Sequence, residues 1–580
     1  ADNTAVGYQA LTTNQTSANN TAVGVSALKL NTGADNTAVG RGALLNQAAG
    51  LQNTAVGFDA GNDITTGQYN VIMGARAADA LTDADNNVAI GRAALSGDTL
   101  GSGSIAIGRN ALINQNFTTA TTSYNVAIGD KAGAAVTTGQ YNTILGADAG
   151  DALTTGNSNV AIGYFALSTE DAHGLNVAVG SRALGNQNAG ADAYNVAVGA
   201  DAGLSVTTGT INTFVGGLAG LAVTSGNNNA AFGYAALSTD TLGDRAVAIG
   251  VQALGAQNFT TTTDNYNVAV GYSAGRQVTT GTLNTFVGGL AGDAFTDAQH
   301  NTAIGYQALT SDTQGDRSVA VGSNALNAQN GVDGIVYNVA VGYGAGQNVT
   351  SGVQNTLVGA AAGDAFTDAD FNAAFGVAAL SADTLGSRST ALGFQALGSQ
   401  NFTTATDVYN TAVGFNAGVS VTTGVENTLI GGLAGDALTT GYQNVAMGFE
   451  SLTADTKGVA NVAIGVSALK NQNHTTITST YNTAVGYVAG RDTTTGIRNT
   501  FVGALAAYDG ANGNDNTIVG YDAGEKNTGS SNTIMGSSAA TSLSSGTDNV
   551  VVGQSAGTHS VAMTSGQYNV LVGAKTRNTA

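Results

Sequence analysis

Asn53-Thr54-Ala55-Val56-Gly57 is the stretch that decides the fold, because the rest of the chain repeats it. The pentad, or a close variant, returns at residues 20–24, 36–40, 125–129, 301–305, 410–414 and 482–486. With the closing glycine as a marker, 33 copies run from Gly7 to Gly573. Most successive markers are 17 residues apart, a few are 16, and spacings of 19 to 21 fall at regular places. A period near 17 over the whole length means one architecture and not a string of unlike domains. The expected organisation is a single continuous repeat over residues 1–580.

Five-residue segments bounded by Asn and Gly suit short strands, and a 17-residue period leaves no room for helices of ten or more residues. Each unit reads as strand, glycine turn, second short strand and polar return. The predicted fold class is all-β: a parallel β-solenoid of about 33 coils of ~17 residues, elongated, on the order of 160 Å at ~4.8 Å per stacked strand. Asn53 represents a column that is Asn in 29 of 33 units, the exceptions being Ser104, Ala246, Ser318 and Ser389. Stacked Asn side chains form hydrogen-bonded ladders. Ala60 represents a column that is Ala in 31 of 33, with Ser451 and Thr576 as exceptions, so that position has room for a methyl group only.

Strand side chains alternate, so Ala55 points one way and Thr54 and Val56 the other. In residues 87–90 and 195–198 both faces are apolar, which predicts cover on both sides. A coil this small covers one side only, and the second cover is inferred to be another copy in a symmetric homo-oligomer.

A slower rhythm overlies the first. Long gaps precede Gly129, Gly199, Gly271, Gly342, Gly414 and Gly486, 70 to 72 residues apart, so four coils make a super-unit. Its first coil carries a Thr-Thr-Gly return, as at residues 65–67, 137–139 and 279–281. Its second puts Ile72, Ile144, Phe214, Phe286, Leu357, Leu429 or Phe501 where Ala55 stands. Large residues at every fourth level with Ala between let layers interdigitate without voids.

Composition agrees. Gly 83 with Pro 0 marks glycine used for tight turns in an ordered fold, not collagen or disorder. A net charge of −20 argues against nucleic acid, whose affinity comes from Lys and Arg on phosphates. There is no cysteine, no apolar run of membrane-spanning length, and no basic-then-apolar leader at the start of the sequence.

The motif Asn-Thr-Ala-Val-Gly-x-x-Ala-Leu resembles the repeat of left-handed parallel β-rolls in the heads of trimeric autotransporter adhesins. It is also similar to repeat shafts of phage and virus tail fibres that carry a self-cleaving C-terminal chaperone. The motif is matched by Ala22-Val23-Gly24 with Ala27, Ala89-Ile90-Gly91 with Ala94, and Ala178-Val179-Gly180 with Ala183. The resemblance implies a left-handed β-roll and a homotrimer packed about a threefold axis. The coils here are longer than those of the adhesin heads. No stalk coiled coil, membrane anchor or chaperone segment is found in these residues.

Residues for chemistry are sparse. The four histidines, His173, His300, His474 and His559, fall in different coils without ligand or triad spacing. Gly101-Ser102-Gly103 is a lone GxG with no helix to follow. Acidic turns such as Asp83-Ala84-Asp85 and Asp368-Ala369-Asp370 offer oxygens to calcium, but the calcium-binding nonapeptide is absent and a solvated turn is the better reading. No catalytic residue, cofactor or metal ligand is assigned, and no enzymatic activity is expected. The extended loops are the candidate contact sites for a receptor or glycan: Phe117, Phe259 and Phe402, each leading to Tyr124, Tyr266 or Tyr409, with His474 in the equivalent place of a fourth loop. Exposed aromatics with Asn and Thr suit such contacts; the competing reading is that each Phe folds back to plug a gap.

Three functions are expected from this reading: the structural shaft of an extracellular or virion-attached fibre, an adhesin binding glycans or receptors along its edge, or a subunit stacking end to end into a filament. The last rests on the 14 residues between Gly573 and Gly7 of a following copy, close to one coil. Open solenoid ends invite such pairing.

Overall fold

A computed structural model describes residues 2–331, 334–510, 512–558 and 564–576. The chain divides into two units, Ala1–Phe286 and Val287–Ala580, built alike. Every marker glycine closes a three-residue strand, 33 in all, and the described residues contain no helix. The fold is a parallel β-solenoid of about 33 turns. In the first unit strands pair in sequence order from Thr4–Val6 onward, all parallel. Register is strict: Ala55 lies beside Ala38 on one side and Ile72 on the other. In the second unit the same ladder runs from Thr302–Ile304 to Val570–Val572.

The pentad explains this stacking atom by atom. Ala55 is fully buried, whereas Thr54 and Val56 are half-buried on the outer face. Asn53 points inward with Ala55. Its Oδ1 accepts the backbone N–H of Asn70, 2.9 Å, and the Asn70 side-chain Nδ2, 3.0 Å. Its own Nδ2 donates to the Gly67 carbonyl of the return, 2.8 Å. Asn53 thus joins its strand to the adjacent coils and to the return segment opposite, and neither end of its buried amide is left open. The marker glycine is required twice over. Gly74 has φ +137, and a Cβ there would sit 2.5 Å from the carbonyl oxygen of Gly91 in the next coil.

Volume is balanced over four levels. Phe214 fills the core at the position of Ala55, and Gly203 and Gly220, four places after their markers, make room: Cβ atoms there would lie 2.9 and 2.5 Å from its ring. The coils on either side of that pair carry Ala178 with Leu184 and Ala231 with Leu237, all four fully buried. Ile144 is flanked by Gly133 and Gly150 in the same way, and Phe501 by Gly490. Phe286 and Phe501 are fully buried, as is Ala60. Large-over-glycine alternating with alanine-over-leucine keeps each layer near one volume, which close packing demands.

Candidate interaction surface

The outer face of the sheet carries two inner columns, the Thr54 and Val56 positions, that stay partly exposed in the chain. Val198 is 37% exposed and Ile249 40%. In residues 88–90, 177–179 and 196–198 both outward side chains are apolar. Two further columns border them. Seventeen of the 19 tyrosines stand directly after a marker glycine or five residues before one, and each is at least 47% exposed. Tyr124, Tyr266 and Tyr409 belong to the second of these columns.

Neighbours within a border column stack. Tyr124 and Tyr141 lie 6.1 Å apart between ring centroids, and Phe394 and Phe415 5.5 Å. Arg388 lies between Phe371 and Tyr409, 4.8 and 6.0 Å from their centroids, and Arg245 covers Tyr266 at 5.4 Å. The result is an uncharged middle, apolar throughout in the Val56 column and divided between Thr and aliphatic residues in the Thr54 column, bordered in places by stacked Tyr, Phe and Arg, residues enriched at protein interfaces.

The phenylalanines of the extended loops are placed otherwise. Phe117, Phe259 and Phe402 are 4%, 5% and 7% exposed, and His474 is 7% exposed. They plug the loop interior and are not offered to a ligand. What holds them is a buried carboxylate that the sequence reading missed. Asp98 receives the amides of Gly101 (3.0 Å) and Phe117 (3.2 Å) on Oδ1, and Gln115 Nε2 (2.6 Å) on Oδ2. Asp240, Asp312, Asp383 and Asp455 repeat this with Gln257, Gln329, Gln400 and Gln472. Glu170 with Gln187 is the sixth, and all six acids are fully buried. Five of the loops also pair back onto the turn of that acid, as Thr121–Thr122 does with Gly101–Ser102. The signal was present: seven residues after the marker, the super-unit reads apolar, apolar, acid, Gln, as in Val206, Val223, Asp240, Gln257 and in Val278, Phe295, Asp312, Gln329.

Burial pushes the Asp98 and Asp312 carboxyls above the usual carboxylate range, more than Gln115 or Gln329 and the loop amides pull them down. Burial also acts upward on Asp455, but the close approach of the His474 ring, without a formed hydrogen bond, together with Gln472 and the amides of His474 and Gly458 outweighs it and holds that carboxyl below the range.

The acidic turns raised as calcium sites are engaged with adjacent coils. Asp83 Oδ1 accepts from Thr66 Oγ1 at 2.5 Å and Asp85 Oδ1 from the Gln68 amide at 2.7 Å. Asp368 and Asp370 accept from Ser351 Oγ and the Val353 amide. Among the described residues, one group of three metal-ligating side chains falls within 4.8 Å: Glu170, Asp171 and His173. Both Glu170 oxygens are already taken, Oε1 by the His173 amide and Oε2 by Gln187 and the Ala189 amide, so the turn is closed on itself. His559 lies outside the described residues. No helix is long and apolar enough to cross a membrane among the described residues.

No protein-family model matches the chain, and a search of curated proteins returns no relative.

Proposed function

We propose that this chain is the structural shaft of a homotrimeric fibre, exposed outside a cell or on a virion, that spaces or presents an attachment function. The observation that carries the reading is the outer face of the sheet: uncharged through its middle, with an unbroken apolar column at the Val56 position, half-exposed, and edged in places by stacked Tyr, Phe and Arg. Parallel strands with apolar residues on both faces belong in covered sheets, and the one partner certain to match a strictly periodic face is the same face on another copy. The repeat motif and its resemblance to trimeric β-roll heads and fibre shafts supply the number three.

Mass measurement by light scattering on the full chain tests this: three chains per particle are expected, and a monomer at all concentrations overturns it. Val198→Lys, placed in the middle of the face, is expected to lower the assembly state while the far-ultraviolet spectrum stays that of β-structure. A second reading, glycan binding along the edge, draws on the exposed rings of Tyr124, Tyr266 and Tyr409 and not on the buried phenylalanines. A glycan array comparing the three Tyr→Ala changes with the parent separates the two.

A further inference from the structure

The six buried acids anchor their loops alike, with one departure in the side chain above them. The residue whose amide meets the carboxylate is Phe117, Phe259 or Phe402 in three cases, Ala189 or Gly331 in two, and His474 in the last. His474 is 7% exposed, and neither ring nitrogen has a hydrogen-bond partner. Its Nδ1 stands 3.9 Å from Asp455 Oδ1, beyond hydrogen-bond reach yet with no other acid so close. A second polar exchange accompanies it. Thr493 occupies the column filled by Val136, Val206, Val278, Val349 and Val421 elsewhere; it is fully buried and its Oγ1 is also without a partner. Buried polar groups left open are costly and call for an explanation.

The ionisable groups on the segments around His474 are few. Asp455 and Lys457 lie on the turn beneath it, and Arg491 and Asp492 on the coil after it. The last two pair with each other, Nη2 to Oδ2 at 2.5 Å, and Asp492 also takes Asn471 Nδ2. The loop itself, residues 473–480, contains no other ionisable side chain. Asp455 is thus the charge the ring meets.

We propose that His474 and Asp455 form a pH-operated tie on this one loop. A proton taken from solvent by the imidazole makes it a cation beside a buried carboxylate, and a small ring movement closes the 3.9 Å gap into a charge-assisted hydrogen bond. The loop is then held by side chain as well as by the 3.2 Å amide contact. Loss of the proton leaves the amide contact alone, with two open nitrogens in the interior. Imidazole is the side chain suited to this between pH 5 and 8.

Amide hydrogen exchange on the full chain, corrected for intrinsic rates, reads the effect loop by loop. Between about pH 8 and pH 5.5, protection of residues 475–480 is expected to rise severalfold. Residues 260–265 and 403–408, anchored with Phe259 and Phe402, serve as internal controls and stay level. His474→Phe, a residue the sister loops show to fit, abolishes the rise. Protection at 475–480 that is the same at both pH values, or that rises equally in His474→Phe, overturns the proposal.

Discussion

Asn70 places both its backbone N–H and its side-chain Nδ2 on one oxygen of Asn53, at 2.9 and 3.0 Å. Since Asn53 does the same kind of service to the coil behind it through Asn36 Oδ1, the ladder is a chain of mutual dependence. Asn53→Ala would orphan the Asn70 N–H and the Gly67 carbonyl, while Asn70 Nδ2 keeps the Ala84 carbonyl at 2.8 Å. A loss of about 2–6 kcal/mol is expected, at about 1–3 kcal/mol for each of the two orphaned groups, read as a lower denaturant midpoint.

Nature has already removed one rung. Ala246 has no oxygen to give, and the Asn267 amide turns to Asn265 Oδ1, 2.9 Å away, while Asn265 Nδ2 donates to the Asp244 carbonyl at 2.7 Å. Asn265→Ala is therefore expected to cost about 1–3 kcal/mol. Adding Ala246→Asn should return part of that loss, a sign of coupling that a double-mutant cycle by denaturant titration measures.

Glycines differ sharply in their tolerance. Gly74→Ala puts a methyl group onto the Gly91 carbonyl at a φ that side chains avoid, and a loss of about 3 kcal/mol or more, or failure to give soluble protein, is expected. At Gly217 the nearest atom to a Cβ is Tyr234 Cδ2 at 3.6 Å. Gly217→Ala should stay within about 0.5 kcal/mol. Thermal unfolding of the pair makes the comparison.

The buried acids give loops opposite responses to acid. Asp98 titrates above its unfolded value of 3.8, so its folded state binds the proton more tightly and acidification through that window favours the fold locally. Asp455 titrates below 3.8; its contribution is intact above that value and disappears as pH falls through the folded one. Between about pH 5 and pH 3 the loop at residues 116–123 should hold or gain protection and that at 473–480 should lose it. Hydrogen exchange at the two pH values decides.

Much of this molecule was readable from its residues. The Asn53 ladder, the face of Ala55 opposite Thr54 and Val56, and the tight site of Ala60 could be read because a column repeated in nearly every coil averages away local accident. The super-unit was visible too, though its cause, the exchange of Leu184 for Gly203 around Phe214, needed coordinates. Asp98 and its five equivalents escaped because an acid in a polar return looks solvated when read alone. Only its Gln partner, one coil later in the chain, shows that it is inside. Phe117 was ambiguous for the same reason: whether a loop aromatic turns in or out depends on what lies beneath it, and what lies beneath is that carboxylate.

The pairing of each buried acid with a Gln on the next coil also constrains how such a gene changes length. Removing or copying a single turn would part an acid from its Gln or set Phe over Leu, whereas a segment of about 71 residues leaves every neighbour as it was. Unequal recombination between copies is thus expected to leave viable descendants that differ by whole multiples of four turns.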